Sequence, residues 1–527
     1  MADGTLRHGF GGLDWAIVIL CTLALGWIGW HLARRQRNTE DYFVAGRNRS
    51  PLLAGVSLFA ALFTVVAYIG VPGEMVQHGP VLIVASVAVL PFSYLVLGRF
   101  LIPAFMRQPI TSGYELLESR LGRPVRLAAS VTFISVRLVW MALILYAAAT
   151  VLVNVIGCDR GWLPALAAAI GIVATVYTLA GGIEAAMVTA VLEFALLLLG
   201  AVLAVGLVTW RLGGFAAWWP DAAPAHWSPE PFFSADPHVR VTVVGTLLSY
   251  FVSTVCAGGS DQVAIQRYLT TRDAAAARRA VLFGHLTVGT ILLSLGVVGL
   301  ALLGYFGARP GDLAPGLSVA RSGDGLFPHF LSHCLPPGIS GLVVAGLVTS
   351  AVSGISPGIN SVIAVLHQEL FGRRAQPRTD AAQLATARWL TLAIGVLIIL
   401  GSLGMGLVRG NLIEVSGKTV NVFFYPMFGL FFFALFVPFA TSLGAVAGSA
   451  FGLAAGLTVG FWDVLTGQPK LSFQWIGPVS ILVTVAVGSL FSLLPVKGRH
   501  PVVAWLWTGG TALALVAVAC RLLALGA

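Results

Sequence analysis

Uninterrupted apolar runs dominate this chain, among them Trp15–Trp30, Val81–Leu97 and Leu390–Leu403. A helix rises about 1.5 Å per residue, so a run of roughly 20 apolar residues matches the hydrocarbon thickness of a bilayer. Charged residues make up 10% of the 527, against about a quarter in a soluble domain. That is too few to solvate a globule of this size. The pattern predicts an all-α integral membrane protein with the lipid bilayer as its solvent. It excludes a soluble enzyme, a nucleic-acid-binding protein and a secreted disulfide scaffold.

Segmenting on apolar runs, turn clusters and charges predicts about fourteen transmembrane helices. They fall near 14–33, 51–79, 80–106, 126–156, 162–181, 184–212, 241–265, 280–306, 338–366, 385–408, 419–439, 442–463, 475–494 and 502–525. The net charge of +10 sits in short clusters between them. Arg34, Arg35, Arg37, Arg47 and Arg49 fall in one loop, Arg107, Arg120, Arg123 and Arg126 in the next on that side, and Arg267, Arg272, Arg278 and Arg279 in a third. Positive loops mark the inner face, which puts the N-terminus outside, as expected for a plasma membrane (the inner membrane in a bacterium). The loops about 213–240 and 307–337 then lie outside, with Trp218, Trp219 and Trp227 expected as interfacial anchors. Cys158 and Cys334 share that side, where a bridge can form. The histidines are scattered without metal or nucleophile spacing, and the phosphate-binding Gly-x-x-x-x-Gly-Lys-Ser/Thr pattern is absent. Neither enzyme chemistry nor ATP-driven pumping is indicated.

Two spans carry residues that a helix in lipid does not want. The second holds Gly55, Thr64, Gly70, Pro72, Gly73 and Glu74; the seventh holds Gly258, Gly259, Ser260, Asp261 and Gln262. Backbone freed from helix bonding is tolerated at membrane depth only where it lines a protein cavity. Two interrupted spans five apart in order predict a five-plus-five inverted repeat with its site at the breaks. The whole of 1–527 then reads as one transporter domain. It divides into a peripheral first helix (14–33), a first repeat (51–212), a second repeat (241–439) and peripheral C-terminal helices (442–525). The lining expected from the breaks is Thr64, Val66, Ala67 and Tyr68 from one span and Cys256, Ala257 and Gly258 from the other. Arg137 lies within the fourth span. A guanidinium there binds a carboxylate through a charge-assisted fork, or pairs structurally with Glu74, Glu193 or Asp261. The small apolar lining disfavours a hexose, whose hydroxyls need many partners.

The chain resembles the sodium:solute symporter family in four stretches that follow the family's order: Asp41-Tyr-Phe-Val-Ala-Gly-Arg47, Tyr177-Thr-Leu-Ala-Gly-Gly-Ile-Glu-Ala185, Asp261-Gln-Val-Ala-Ile-Gln-Arg267 and Gly341–Asn360. Gly70-Val-Pro-Gly-Glu74 with His78-Gly79 looks most like the branch that carries iodide, vitamins and monocarboxylates. The resemblance implies the leucine-transporter fold, alternating access, and symport of a small solute on an ion gradient, with no organic cofactor. It also implies a sodium site between the second and ninth spans, a hard cation being suited by carbonyl and hydroxyl oxygens at a broken helix. Carried over position by position, the carbonyls are those of Ala60, Phe63 and Ser350, and the hydroxyl positions are Ser353 and Gly354.

Gly354 lacks the hydroxyl, and Ala190 stands where the family often has an aspartate. Glu193, three residues on, brings a carboxylate into the same apolar helix, where it suits reversible protonation. The reading is therefore ion-coupled symport of a small organic anion such as a monocarboxylate. Sodium is the expected coupling ion; a proton carried by Glu193, or a sodium-independent facilitator or sensor that kept the fold, are the alternatives.

Overall fold

The structure, a computed structural model, describes residues 10–33, 50–60, 65–107, 113–180, 183–227, 230–371 and 380–494. Among them every regular element is a helix, as lipid demands of a chain that must satisfy its backbone within each segment. In chain order these are α1 (Gly12–Ala33), α2 (Pro51–Ala60), α3 (Val65–His78), α4 (Val81–Met106), α5 (Gly113–Leu121), α6 (Arg123–Ile156), α7 (Leu163–Ala180) and α8 (Ile183–Leu212). There follow α9 (Val243–Ser260), α10 (Gln262–Leu269), α11 (Ala274–Ala308), α12 (Gly323–His333), α13 (Ile339–Phe371), α14 (Asp380–Met405), α15 (Leu412–Phe436), α16 (Ser442–Gly460) and α17 (Ile476–Ser492).

Among the described residues eleven helices are long and apolar enough to cross a membrane, and each coincides with an expected span between 80–106 and 475–494. Leu20, Phe92, Val131, Trp389 and Leu400 turn more than half of their surface outward, the mark of a protein whose solvent is hydrocarbon. Of the remaining expected spans, the first is α1, the second is divided between α2 and α3, and 502–525 lies outside the described residues.

The break in the seventh span is visible in full. α9 ends at Ser260, and Asp261 takes extended backbone angles (φ −70°, ψ 122°). Its Oδ1 accepts the Val263 N–H at 2.9 Å and so starts α10. An aspartate is what a helix start needs, because its carboxylate satisfies an amide that has no intrahelical partner. Residues 61–64, where the second span is expected to break, lie outside the described residues, but α2 and α3 flank them as separate helices. Two further irregularities face the same interior: single π-helical turns at Leu97–Leu101 in α4 and Gly417–Asn421 in α15.

The peripheral helices attach by distinct means. α16 packs along α17 through Gly444, Gly448, Gly452, Gly456 and Gly460, one glycine per turn, against Ser480, Thr484, Gly488 and Ser492. Such stripes let helix backbones approach closely where no hydrophobic effect drives association. α1 is pinned by Asp14, whose Oδ1 accepts from the Gly338 and Gly341 amides (2.9 and 3.0 Å) and the Ser340 hydroxyl (2.7 Å) at the start of α13.

One expectation fails, and one open possibility is not realised. Trp218 is not a headgroup anchor: it is buried and donates its indole N–H to the Thr209 hydroxyl of α8. Trp227 is half-buried and donates to the Val76 carbonyl at 2.9 Å, so that part of the loop folds back over the end of α3. Trp219 alone of the three is exposed. Cys158 and Cys334 are both free thiols; Cys158 instead approaches the Val153 carbonyl at 3.9 Å, and Cys334 is buried.

Candidate functional site

α3, α6, α9 and both π-helical turns enclose a cavity of about 290 Å³. This is at the small end of ligand pockets, which run to about 300–1,000 Å³. Val66 and Ala67 of α3, Arg137 of α6 and Ala257 and Gly258 of α9 line it, as expected from the sequence. Tyr68 and Cys256 do not. Tyr68 points the other way and donates its hydroxyl to the Leu197 carbonyl at 2.9 Å, and Cys256 is buried outside the lining. One helical step turns a side chain by about 100°, so neighbours on a lining helix face different ways. Thr64 and Phe63 lie outside the described residues, and Ala60 closes α2.

Sequence reading missed most of the polar wall. Ser86, Ser249, Ser253, Thr254, Ser416 and Asn421 line the cavity together with aromatic side chains. Trp140 is the one that could have been found. It follows Arg137 by three residues on α6, a spacing that puts both on one helix face.

The charge at the cavity wall is unusual. Arg137 pairs with Asp261, the residue that makes the break between α9 and α10; both are buried. The Arg137 guanidinium also stands 5.6 Å from the Phe133 ring centre. Glu74 and Glu193, its other candidate partners, are engaged elsewhere. Arg267, on the last turn of α10, is 2% exposed, and its Nε and Nη2 have no hydrogen-bond partner among the described residues. Neither has Arg137 Nε or the Trp140 indole N–H. Among the described residues the group thus sets two guanidiniums against one carboxylate in the protein interior. An uncompensated buried charge costs several kcal/mol.

Of the candidate ion positions, Glu193, Ser350, Ser353 and Gly354 gather at a second place. Ser353 of α13 donates its hydroxyl to Glu193 of α8 and lies 3.3 Å from the Ser350 carbonyl; all three residues are buried. Glu193 sits one helical turn beyond Ala190, so a carboxylate reaches α13 from α8 although Ala190 supplies none. Ser350 turns its own hydroxyl to the Leu347 carbonyl at 3.0 Å. Gly354 is buried beside Ser353 and brings no oxygen beyond its backbone. Among the described residues no three His, Cys, Asp or Glu side chains are placed to hold a metal ion.

Comparison with known proteins agrees with this architecture. The model of the sodium:solute symporter family matches residues 42–452. The sodium/sialic acid symporter NanT of Aliivibrio fischeri is 25% identical over 492 residues, 91% of this chain and 93% of the relative. The sodium-dependent multivitamin transporter of Oryctolagus cuniculus is 29% identical over 456 residues (85% and 69%), and the human sodium/iodide cotransporter 28% over 477 residues (87% and 70%). A solved Na+-coupled sialic acid symporter in its substrate-bound, outward-open state superposes with a TM-score of 0.75 at 24% identity, covering 93% of this chain and 99% of that one. That likeness carries the fold alone, an all-helical membrane bundle of the leucine-transporter type.

Proposed function

Because the chain belongs to the sodium:solute symporter family, we propose that it carries a small organic anion inward on a sodium gradient, by alternating access to the cavity between its broken helices. The buried charge group carries this reading. Among the described residues Arg137, Arg267 and Asp261 leave one positive charge unanswered, and Arg137 and Trp140, which both line the cavity, each hold a buried N–H without a partner. An anion entering the cavity supplies the missing charge and accepts from Arg137 Nε, with the Trp140 indole N–H beside it. The cavity volume suits a solute of monocarboxylate or vitamin-fragment size. The same orientation puts the N-terminus outside, and the repeats remain those expected at 51–212 and 241–439.

For the coupling ion, the positions are the backbone carbonyls of Ala60, Phe63 and Ser350 with the Ser353 hydroxyl, and Glu193 in place of the oxygens that Gly354 and Ala190 lack. A second reading rests on the same bond: a buried carboxylate held by a serine hydroxyl serves equally to carry a proton.

Thermal unfolding of the purified protein, titrated with sodium against choline at equal ionic strength and at two pH values, tests this. A ligand that binds only the folded state stabilises it by RT ln(1 + [L]/Kd), about 2.7 kcal/mol at a hundredfold excess. The expected result is a saturable rise specific to sodium that Glu193→Gln reduces. A shift between the two pH values without a sodium effect, abolished by Glu193→Gln, establishes the proton instead. No response to either ion defeats ion coupling.

The anion reading has its own measurement. Arg137→Lys keeps the charge but loses the planar fork. In proteoliposomes loaded against labelled carboxylates, it is expected to raise the apparent KM by about tenfold to a hundredfold, the worth of a charge-assisted hydrogen bond, with little change in maximal rate. An unchanged KM removes Arg137 from the solute site.

A further inference from the structure

We propose that Arg240 is the bolt of an outer gate that closes the cavity toward the extracellular side. Arg240 stands just before Thr242, the cap of α9. Its Nη1 and Nη2 donate to the two oxygens of Glu74 on α3, each at 2.8 Å, and its Nε donates to Glu414 on α15 at 2.6 Å. One side chain therefore ties the outer halves of both broken helices to a third helix. Asn411 adds a bond to Glu74 at 2.6 Å, and Asp324 of α12 accepts the Leu412 N–H at 2.8 Å, which fixes the start of α15. Glu74 is fully buried and Glu414 nearly so. Burial works against the charged guanidinium, but the two carboxylates outweigh it and hold the Arg240 pKa above its ordinary value.

The link to the cavity is Phe473. Arg240 stands over its ring at 5.7 Å, and Phe473 lines the cavity, as does Ile413, the neighbour of Glu414. The ion group is thus the layer above the aromatic and aliphatic roof.

Ions suit such a place better than a wholly apolar seal. Closed, the forked pair is buried and directional, which is where charge-assisted bonds are strongest. Opened, both partners reach extracellular water, where hydration replaces most of what the pair supplied, since exposed ion pairs are worth only about 0–1 kcal/mol. A latch with that property holds and releases at modest cost. The Arg137–Asp261 pair, buried in the protein interior, has no such exchange available.

The inference rests on the reading that this cavity is the transport path, and its test uses neither ion nor solute. Ser253→Cys places a thiol in the cavity wall. Its labelling by a membrane-impermeant maleimide is measured as the increment over the otherwise identical chain, in right-side-out and inside-out vesicles without sodium. Arg240→Gln is expected to raise labelling from the outside about tenfold or more, the loss of bonds to two charged partners; Arg240→Lys, which keeps the charge and loses the fork, and Glu414→Gln should fall between. Where Arg240→Gln does not reach the membrane folded, Arg240→Lys decides. Outside labelling as slow as in the parent, or acceleration from the inside face alone, overturns the gate. A gate that loosens in a protein whose stability ignores sodium sinks the ion reading and leaves the latch standing.

Discussion

Asp261→Asn should destabilise the folded protein by about 3–5 kcal/mol, the cost of removing one partner of a buried ion pair. Asp261 answers Arg137 at a depth where neither is reached by water, and Arg267 already stands unanswered nearby. Losing the carboxylate leaves two guanidiniums with no counter-charge among them. Domains are stable by only about 5–15 kcal/mol in total, so the variant should unfold several degrees earlier or fail to accumulate in the membrane. The asparagine can still cap α10 through its side-chain oxygen, so the effect reports the charge and not the helix start. Adding Arg137→Gln should recover part of the loss, because it removes one of the stranded charges. Unfolding in detergent of the single and double variants gives the coupling between them. Additive losses would mean that the two side chains do not share one buried interaction.

The second large effect belongs to the seam between α16 and α17. A Cβ at Gly448 would meet the Thr484 carbonyl and come within 2.8 and 2.9 Å of the Gly488 Cα and N. These are backbone atoms of a regular helix and cannot rotate aside. Gly448→Ala should cost about 1–3 kcal/mol through overpacking, despite alanine's better helix propensity. Gly206 on α8 supplies the control: a Cβ there meets nothing within 4 Å, so Gly206→Ala should be neutral or stabilising by about 0.5–1 kcal/mol. Equal melting temperatures for the two variants would remove the close helix approach. The prediction bears on function as well, because Phe473 at the cavity roof lies just before α17 on the same segment.

Residues next to one another in the chain carried the helices, the break at Asp261 and the class of the protein. Apolar run length against bilayer thickness, and an aspartate after paired glycines, are local signals that no packing overrides. The four family stretches added the positions of an ion site, and they exposed Gly354 and Ala190 as departures from it. Partner choice was another matter. Arg137 had three acidic candidates in the sequence, and only the approach of α6 to the α9–α10 break, 124 residues away, selected Asp261. Tyr68 and Cys256 were placed in the lining by their spans and removed from it by helix rotation, a difference of one residue's turn. Trp218 read as interfacial by composition, yet it is buried and donates to Thr209 of α8. The outer bolt was not legible at all: Glu74, Arg240 and Glu414 stand far apart in sequence and follow no motif. Span, polarity and backbone breaks depend on neighbours along the chain, so the sequence by itself determined a broken-helix membrane transporter. Which charges meet, which faces line the cavity and what shuts it depend on side chains from distant segments meeting in three dimensions, and only the tertiary structure decided those.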